Sequence, residues 1–111
     1  MKQPWPPAVA TKQINALAGR DECFMAWTGH ARERLKERNL LAGDIFYILR
    51  WGSVYTQPEK STRDDLFKYA IEATSPNSEG RAIRVVVIPD PDACHGAGCL
   101  KIITVMWLDE T

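Results

Sequence analysis

At Gly52 the hydrophobic pattern changes period, from about 3.6 residues to two, and it does not change back. A chain that spends its first half on helices and its second half on strands is an α+β domain, because consecutive strands pair as hairpins and the helices pack on the sheet they leave exposed. Residues 1–7 form a Pro-rich lead with Trp5 as its apolar anchor. A first helix is predicted over Ala8 to Ala18, where Ala10, Ile14, Leu17 and Ala18 share a face and Gly19 stands at the stop. Cys23 to Trp27 is read as a short strand or extended segment. Thr28 is placed to cap a second helix over Ala31 to Arg38, and Asp44 to cap a short apolar third helix with Ile45, Phe46, Ile48 and Leu49.

Beyond Gly52, strands are predicted at Ser53 to Gln57, Asp64 to Thr74, Arg81 to Ile88 and Cys99 to Leu108. The segments Pro58 to Thr62, Ser75 to Gly80 and Pro89 to Gly98 read as turns. Phe67, Tyr69, Ile71 and Ala73 fall on one face. The fold expected is an antiparallel sheet of about four strands with the helices on one side. The last two strands are apolar on both faces. Val86 and Ile88 oppose Val85 and Val87, while Ile103, Val105 and Trp107 oppose Ile102, Met106 and Leu108. A second cover is therefore expected, either helix one or another subunit in a homodimer. The organisation expected is a lead and N-terminal helix over 1–22 and a single α+β domain over 23–111.

Fourteen basic residues balance fourteen acidic ones in 111, so the formal charge is zero. Wholesale electrostatic nucleic-acid binding of the histone kind is thereby excluded, and any basic function must be local. No apolar run approaches the roughly 20 residues of a membrane helix. No secretory signal is visible, so the cytoplasm is the expected compartment. Three cysteines are an odd number for a disulfide framework and are read as reduced thiols.

His30, Arg34 and Arg38 lie at i, i+4 and i+8, within a sector of roughly 80° on the second helix. Like charges one turn apart repel, and a bound anion would account for them. Cleavage of RNA without a metal needs a proton acceptor, a proton donor and cations for the charge that develops on phosphorus, and His and Arg supply these near neutral pH. The bland alternative places Arg34 and Arg38 on a solvated face beside Glu33 and Glu37. Arg81, Arg84, Tyr69 and Thr104 are secondary candidates for holding a phosphate. Cys94, His95 and Cys99 offer a metal loop at first sight, but a closed zinc site takes four ligands, and no metal or other cofactor is expected.

The stretch Trp27-Thr28-Gly29-His30-Ala31-Arg32-Glu33-Arg34-Leu35-Lys36-Glu37-Arg38, with Leu49-Arg50-Trp51-Gly52, Gly80-Arg81-Ala82-Ile83-Arg84-Val85 and Ile102-Ile103-Thr104-Val105, resembles the bacterial domain of unknown function family forty-two fifty-eight over about residues 24 to 108. The resemblance implies a fold similar to the RelE, ParE and BrnT toxins, with N-terminal helices on a curved antiparallel sheet. It also implies His30, Arg34 and Arg38 as the characteristic positions, with Arg84 and Thr104 on the strands. The Pro-rich lead and the Cys94 to Cys99 loop depart from the family pattern, and toxins of this group are commonly basic where this chain is neutral. Two functions are expected from these residues. One is a metal-independent endoribonuclease of the toxin-antitoxin kind, with RNA and a cognate antitoxin as partners. The other is a non-catalytic module whose second-helix face docks an acidic protein.

Overall fold

In the computed structural model, residues 2–110 are described; Met1 and Thr111 lie outside the described residues. The order is α1 (Pro7–Ala18), β1 (Phe24–Trp27), α2 (Gly29–Glu37), α3 (Ala42–Trp51), β2 (Ser53–Val54), β3 (Glu59–Lys60), β4 (Phe67–Thr74), β5 (Ala82–Asp90) and β6 (Cys99–Trp107). The α+β class and all three helices match the sequence reading. The sheet does not: it is an open mixed sheet of six strands in the order β1-β6-β5-β4-β2, with β3 on β4. The extra strands are short, and β1 pairs in parallel with β6, setting Phe24 opposite Cys99 and Trp27 opposite Ile102. Parallel pairing between chain segments this far apart needs a long crossover, which local periodicity does not register.

Gly52 marks the change of period for a packing reason. A β-carbon there would lie 2.5 Å from the Ile48 carbonyl oxygen and 2.8 Å from that of Glu72, so the turn from α3 into the sheet closes only on a residue without one. The sheet edge beyond it is covered. The Val54 amide donates to Thr11 Oγ1 at 2.8 Å, so α1 occupies an amide that edge strand β2 would otherwise expose, and Asn15 Nδ2 donates to the Leu49 carbonyl at 2.7 Å, tying α1 to the last turns of α3.

Asp44 lies two residues inside α3, and Leu41 holds the cap position, a correction of the sequence reading. The Asp44 carboxylate instead accepts from the Leu41 amide at 3.0 Å and from the Ser75 hydroxyl at 2.9 Å, tying the start of α3 to the β4–β5 turn. The first predicted strand stops at Val54 rather than Gln57, and the Pro58 to Thr62 turn contains β3. The hairpin strand β5 runs on through Pro89 to Asp90, which shortens the loop to residues 91–98.

One core joins every part of the chain. Ala10, Ile14 and Leu17 of α1, Ala31 of α2, and Ile45, Ile48 and Leu49 of α3 meet Tyr69, Ile71, Ile83, Val85, Leu100, Ile102 and Val105. The Pro-rich lead enters it through Trp5, which is 1% exposed and stacks on Tyr69 at 5.5 Å. The Trp5 amide donates to the Tyr69 hydroxyl at 3.0 Å, and that hydroxyl donates to Gln3 Oε1 at 3.1 Å. Gln3 Nε2 donates to the Pro89 carbonyl at 3.0 Å, so the lead is strapped across β4 and β5.

The inner face of β6 departs from strict alternation. Val86 pairs with Thr104 but Val87 pairs with Ile102, leaving Ile103 as the extra residue of a bulge. Ile102 and Val105 therefore both point inward, whereas alternation sets them on opposite faces. The helices share this inner side, and helix one does not cover the other. On the open side Val86, Ile88, Ile103 and Met106 stay half-buried between Lys68, Arg84 and Lys101. Among the described residues no helix is long and apolar enough to cross a membrane.

Gly52→Ala is expected to destabilise the fold by about 1–3 kcal/mol, as overpacking against rigid backbone does. Gly43→Ala, where a β-carbon meets nothing within 4 Å, is expected to leave stability unchanged or slightly raised. Urea unfolding of the two variants checks this ordering.

Candidate functional site

The site is organised by the seating of α2. Thr28 has extended backbone angles and caps the helix: its hydroxyl accepts from the Ala31 amide at 3.0 Å and donates to the Ile103 carbonyl at 3.1 Å. The Thr28 amide also donates to the Ile102 carbonyl at 3.2 Å. One residue thus satisfies a helix-end amide and fastens that end to the bulge of β6. At the other end Trp107 Nε1 donates to the Arg38 carbonyl at 3.3 Å. Ala31 is fully buried beneath the helix. Pinned at both ends on β6, α2 turns His30 outward as an exposed side chain, with Arg34 and Arg38 partly exposed beyond it.

The two arginines do not face an unmatched repulsion. Glu37 Oε2 bonds to Arg34 and lies 3.2 Å from Arg38 NH1, so the counter-charge comes from within the helix. Arg38 is held further by a fork to Glu110, at 2.6 Å from Nε and 2.7 Å from NH2. Glu110 in turn accepts from the Trp107 amide at 2.6 Å. Arg81 makes a parallel fork to Asp109, at 3.2 and 2.8 Å, and lies 4.0 Å above the Trp107 ring. Bonding to Arg38 holds the Glu110 carboxyl below its ordinary range, and Arg81 does the same for Asp109. The same bonds push the Arg38 and Arg81 guanidinium values up.

The structure brings His30, Arg34 and Arg38 onto one helix and joins Arg81 to its far end through Trp107. Arg84 stands apart on the open face of the sheet, bonded to Glu72 at 2.9 and 2.7 Å. Thr104 is half-buried at the bulge, next to the carbonyl that takes the Thr28 hydroxyl. Tyr69 belongs to the core, where burial raises its phenol and its hydroxyl is engaged by Trp5 and Gln3. Burial likewise raises the Cys23 and Cys99 thiols, so both favour the protonated form over the metal-binding thiolate. Among the described residues no three His, Cys, Asp or Glu side chains converge as a metal site requires, Cys94, His95 and Cys99 included. The sequence reading missed Asp109 and Glu110. Glu110 stands 72 residues from its partner Arg38, and no spacing rule links them.

Residues 27–107 match the family described as Domain of unknown function (DUF4258), and the chain belongs to that family. The matched span contains α2, the bulge and the Trp107 anchor but stops short of Asp109 and Glu110. No match was found among curated proteins or among solved structures.

Because the Glu110 carboxyl is depressed in the folded chain, its bond to Arg38 contributes stability above the ordinary carboxylate value of 4.5. That contribution is lost as pH falls through the lower folded value. Glu110→Gln is therefore expected to lower stability modestly at neutral pH and to narrow its difference from the parent protein as pH falls below 4.5. Urea titrations at several pH values measure it; a pH-independent difference between the two proteins would contradict the assignment.

Proposed function

We propose that the chain is a metal-independent endoribonuclease of the toxin-antitoxin kind, related in fold to the RelE and BrnT toxins and acting in the cytoplasm. The observation that supports this reading most is the pairing of an exposed His30 with Arg34, one turn along a helix pinned at both ends. Arg34 is held by Glu37, which is 52% exposed. A surface ion pair of this kind contributes only about 0–1 kcal/mol, so a phosphate can take the place of the carboxylate.

In the reaction this geometry suits, the ribose 2′-oxygen bonds to phosphorus as the bond to the 5′-oxygen breaks, leaving a cyclic phosphate. His30 takes the 2′-hydroxyl proton, and water returns a proton to the departing 5′-oxygen. Arg34 neutralises the phosphoryl oxygens as their charge grows. Arg38, forked to Glu110, fixes the far end of α2 and offers a second phosphate clamp when that carboxylate gives way. Arg81, Arg84 and Thr104 are places where a longer RNA could make further contact.

A second reading has its own observation. On the α2 face and the turn beside it, Arg34, Arg38 and Arg81 are each bonded to a carboxylate of the same chain. A surface that already recognises carboxylates suits a docking module for an acidic protein, such as an antitoxin segment.

Labelled mixed-sequence RNA incubated in EDTA tests the first reading against the second. Cleavage by the parent protein is expected to fall by about 100-fold or more in His30→Ala, in line with loss of a proton-transfer group. Arg34→Ala is expected to slow it less, with thermal unfolding of both variants unchanged. RNA left intact by the parent protein, with a salt-sensitive protein complex lost on Arg34→Glu, would replace the nuclease by the docking module.

A further inference from the structure

After β6 the chain doubles back. The Leu108 amide donates to the Ala82 carbonyl at 2.8 Å and the Glu110 amide to the Trp107 carbonyl at 3.2 Å, so residues 108–110 form a turn over the end of the sheet. The turn delivers two successive carboxylates to two arginines from different elements. Glu110 meets Arg38 at the end of α2, and Asp109 meets Arg81 at the start of β5. Trp107 stands between the arginines, with its indole N–H on the Arg38 carbonyl and its ring under the Arg81 guanidinium at 4.0 Å. Each arginine engages its carboxylate with two nitrogens, the fork that also fits two oxygens of a phosphate.

This arrangement is not buried scaffolding. Arg81 is 48% exposed and Asp109 63%, against 21% for Arg38 and 34% for Glu110, and displacing the turn of residues 108–110 uncovers both guanidinium groups. Arg38 also shares Glu37 with Arg34, so the two-arginine cradle is continuous with the α2 face that carries His30.

We propose that Arg38 and Arg81 form a two-point cradle for successive phosphates of an RNA strand, and that Asp109 and Glu110 occupy it in the resting chain as an autoinhibitory plug. The inference rests on the RNA reading of α2 and adds how that site is regulated. RNA binding then requires exchange of two intramolecular carboxylates for two phosphates. The exchange leaves the cations paired throughout, while the displaced Asp109 and Glu110 regain water. The plug lowers affinity for RNA without abolishing it and weakens the salt dependence that two free arginines would give.

The test is the Asp109→Asn, Glu110→Gln double variant, which keeps the shape of both side chains and removes their charge. The probe is a fluorescent 2′-O-methyl oligoribonucleotide, which has no free 2′-hydroxyl and stays uncut, followed by anisotropy across a salt series. The variant is expected to bind about 10-fold more tightly at low salt. Its plot of log affinity against log salt is expected to steepen by about 1.4, near 0.7 for each phosphate gained on a single strand. Adding Arg81→Gln is expected to remove about half of that gain, and each single neutralisation to give about half of it. Unchanged affinity and slope in a double variant whose parent protein binds and cleaves RNA would overturn the plug and leave the nuclease reading intact. If neither protein binds the oligonucleotide and the parent protein cleaves no RNA, both are overturned.

Discussion

The hydroxyl of Thr28 accepts from the helix-end amide of Ala31 and donates to the carbonyl of Ile103, and the whole functional face is built on that pair of bonds. The Ala31 amide is a helix-start donor with no helical acceptor, and the Ile103 carbonyl belongs to the extra residue of the bulge. The bulge serves twice. It lets Ile102 and Val105 both reach the core, and it offers the oxygen that fixes α2 against β6. With the Trp107 indole on the Arg38 carbonyl, the helix is held at both ends, and its outward side chains are set by the sheet.

Charge on this face is organised as local neutrality. A chain with zero formal charge can still carry a row of arginines if each is answered nearby, and here Glu37, Glu110 and Asp109 answer Arg34, Arg38 and Arg81. Exposure then separates their roles. Arg38 is 21% exposed and held by two carboxylates, so it can meet a phosphate only in exchange for one of them. Arg34 has a single carboxylate, 52% exposed, and His30 one turn before it is exposed. An incoming phosphate has the least to displace at that end of α2.

What could be read in the sequence was local. The Thr28 cap, the buried stripe of α1 and the Tyr69-Ile71 face of β4 follow from spacings of two to four residues, because helix and strand periods act at that range. The switch at Gly52 was legible as a change of period, although its cause, the 2.5 Å approach to the Ile48 carbonyl, was not. The parallel β1–β6 pairing was hidden because it joins residues some 75 apart in a register that no turn dictates. The bulge at Ile103 was hidden because alternation assigns faces by counting, and one inserted residue reverses the count. His30, Arg34 and Arg38 were found as a spacing. Their partners were not, since Glu110 reaches α2 only through the fold, and Tyr69 looked available until Gln3 and Trp5 claimed its hydroxyl.

In the proposed reading, RNA is engaged by the outward face of α2 as seated on the β6 bulge. The most direct measurement is an NMR titration of the isotopically labelled protein with a short uncleavable RNA strand, following backbone amides together with the His30 ring and Arg34 side-chain signals. Saturable shifts are expected to concentrate at residues 28–38 and at the turn after Trp107, with the open sheet face around Lys68, Ile88 and Lys101 unmoved. Shifts confined to that sheet face, or none on α2 at saturating RNA, would contradict it.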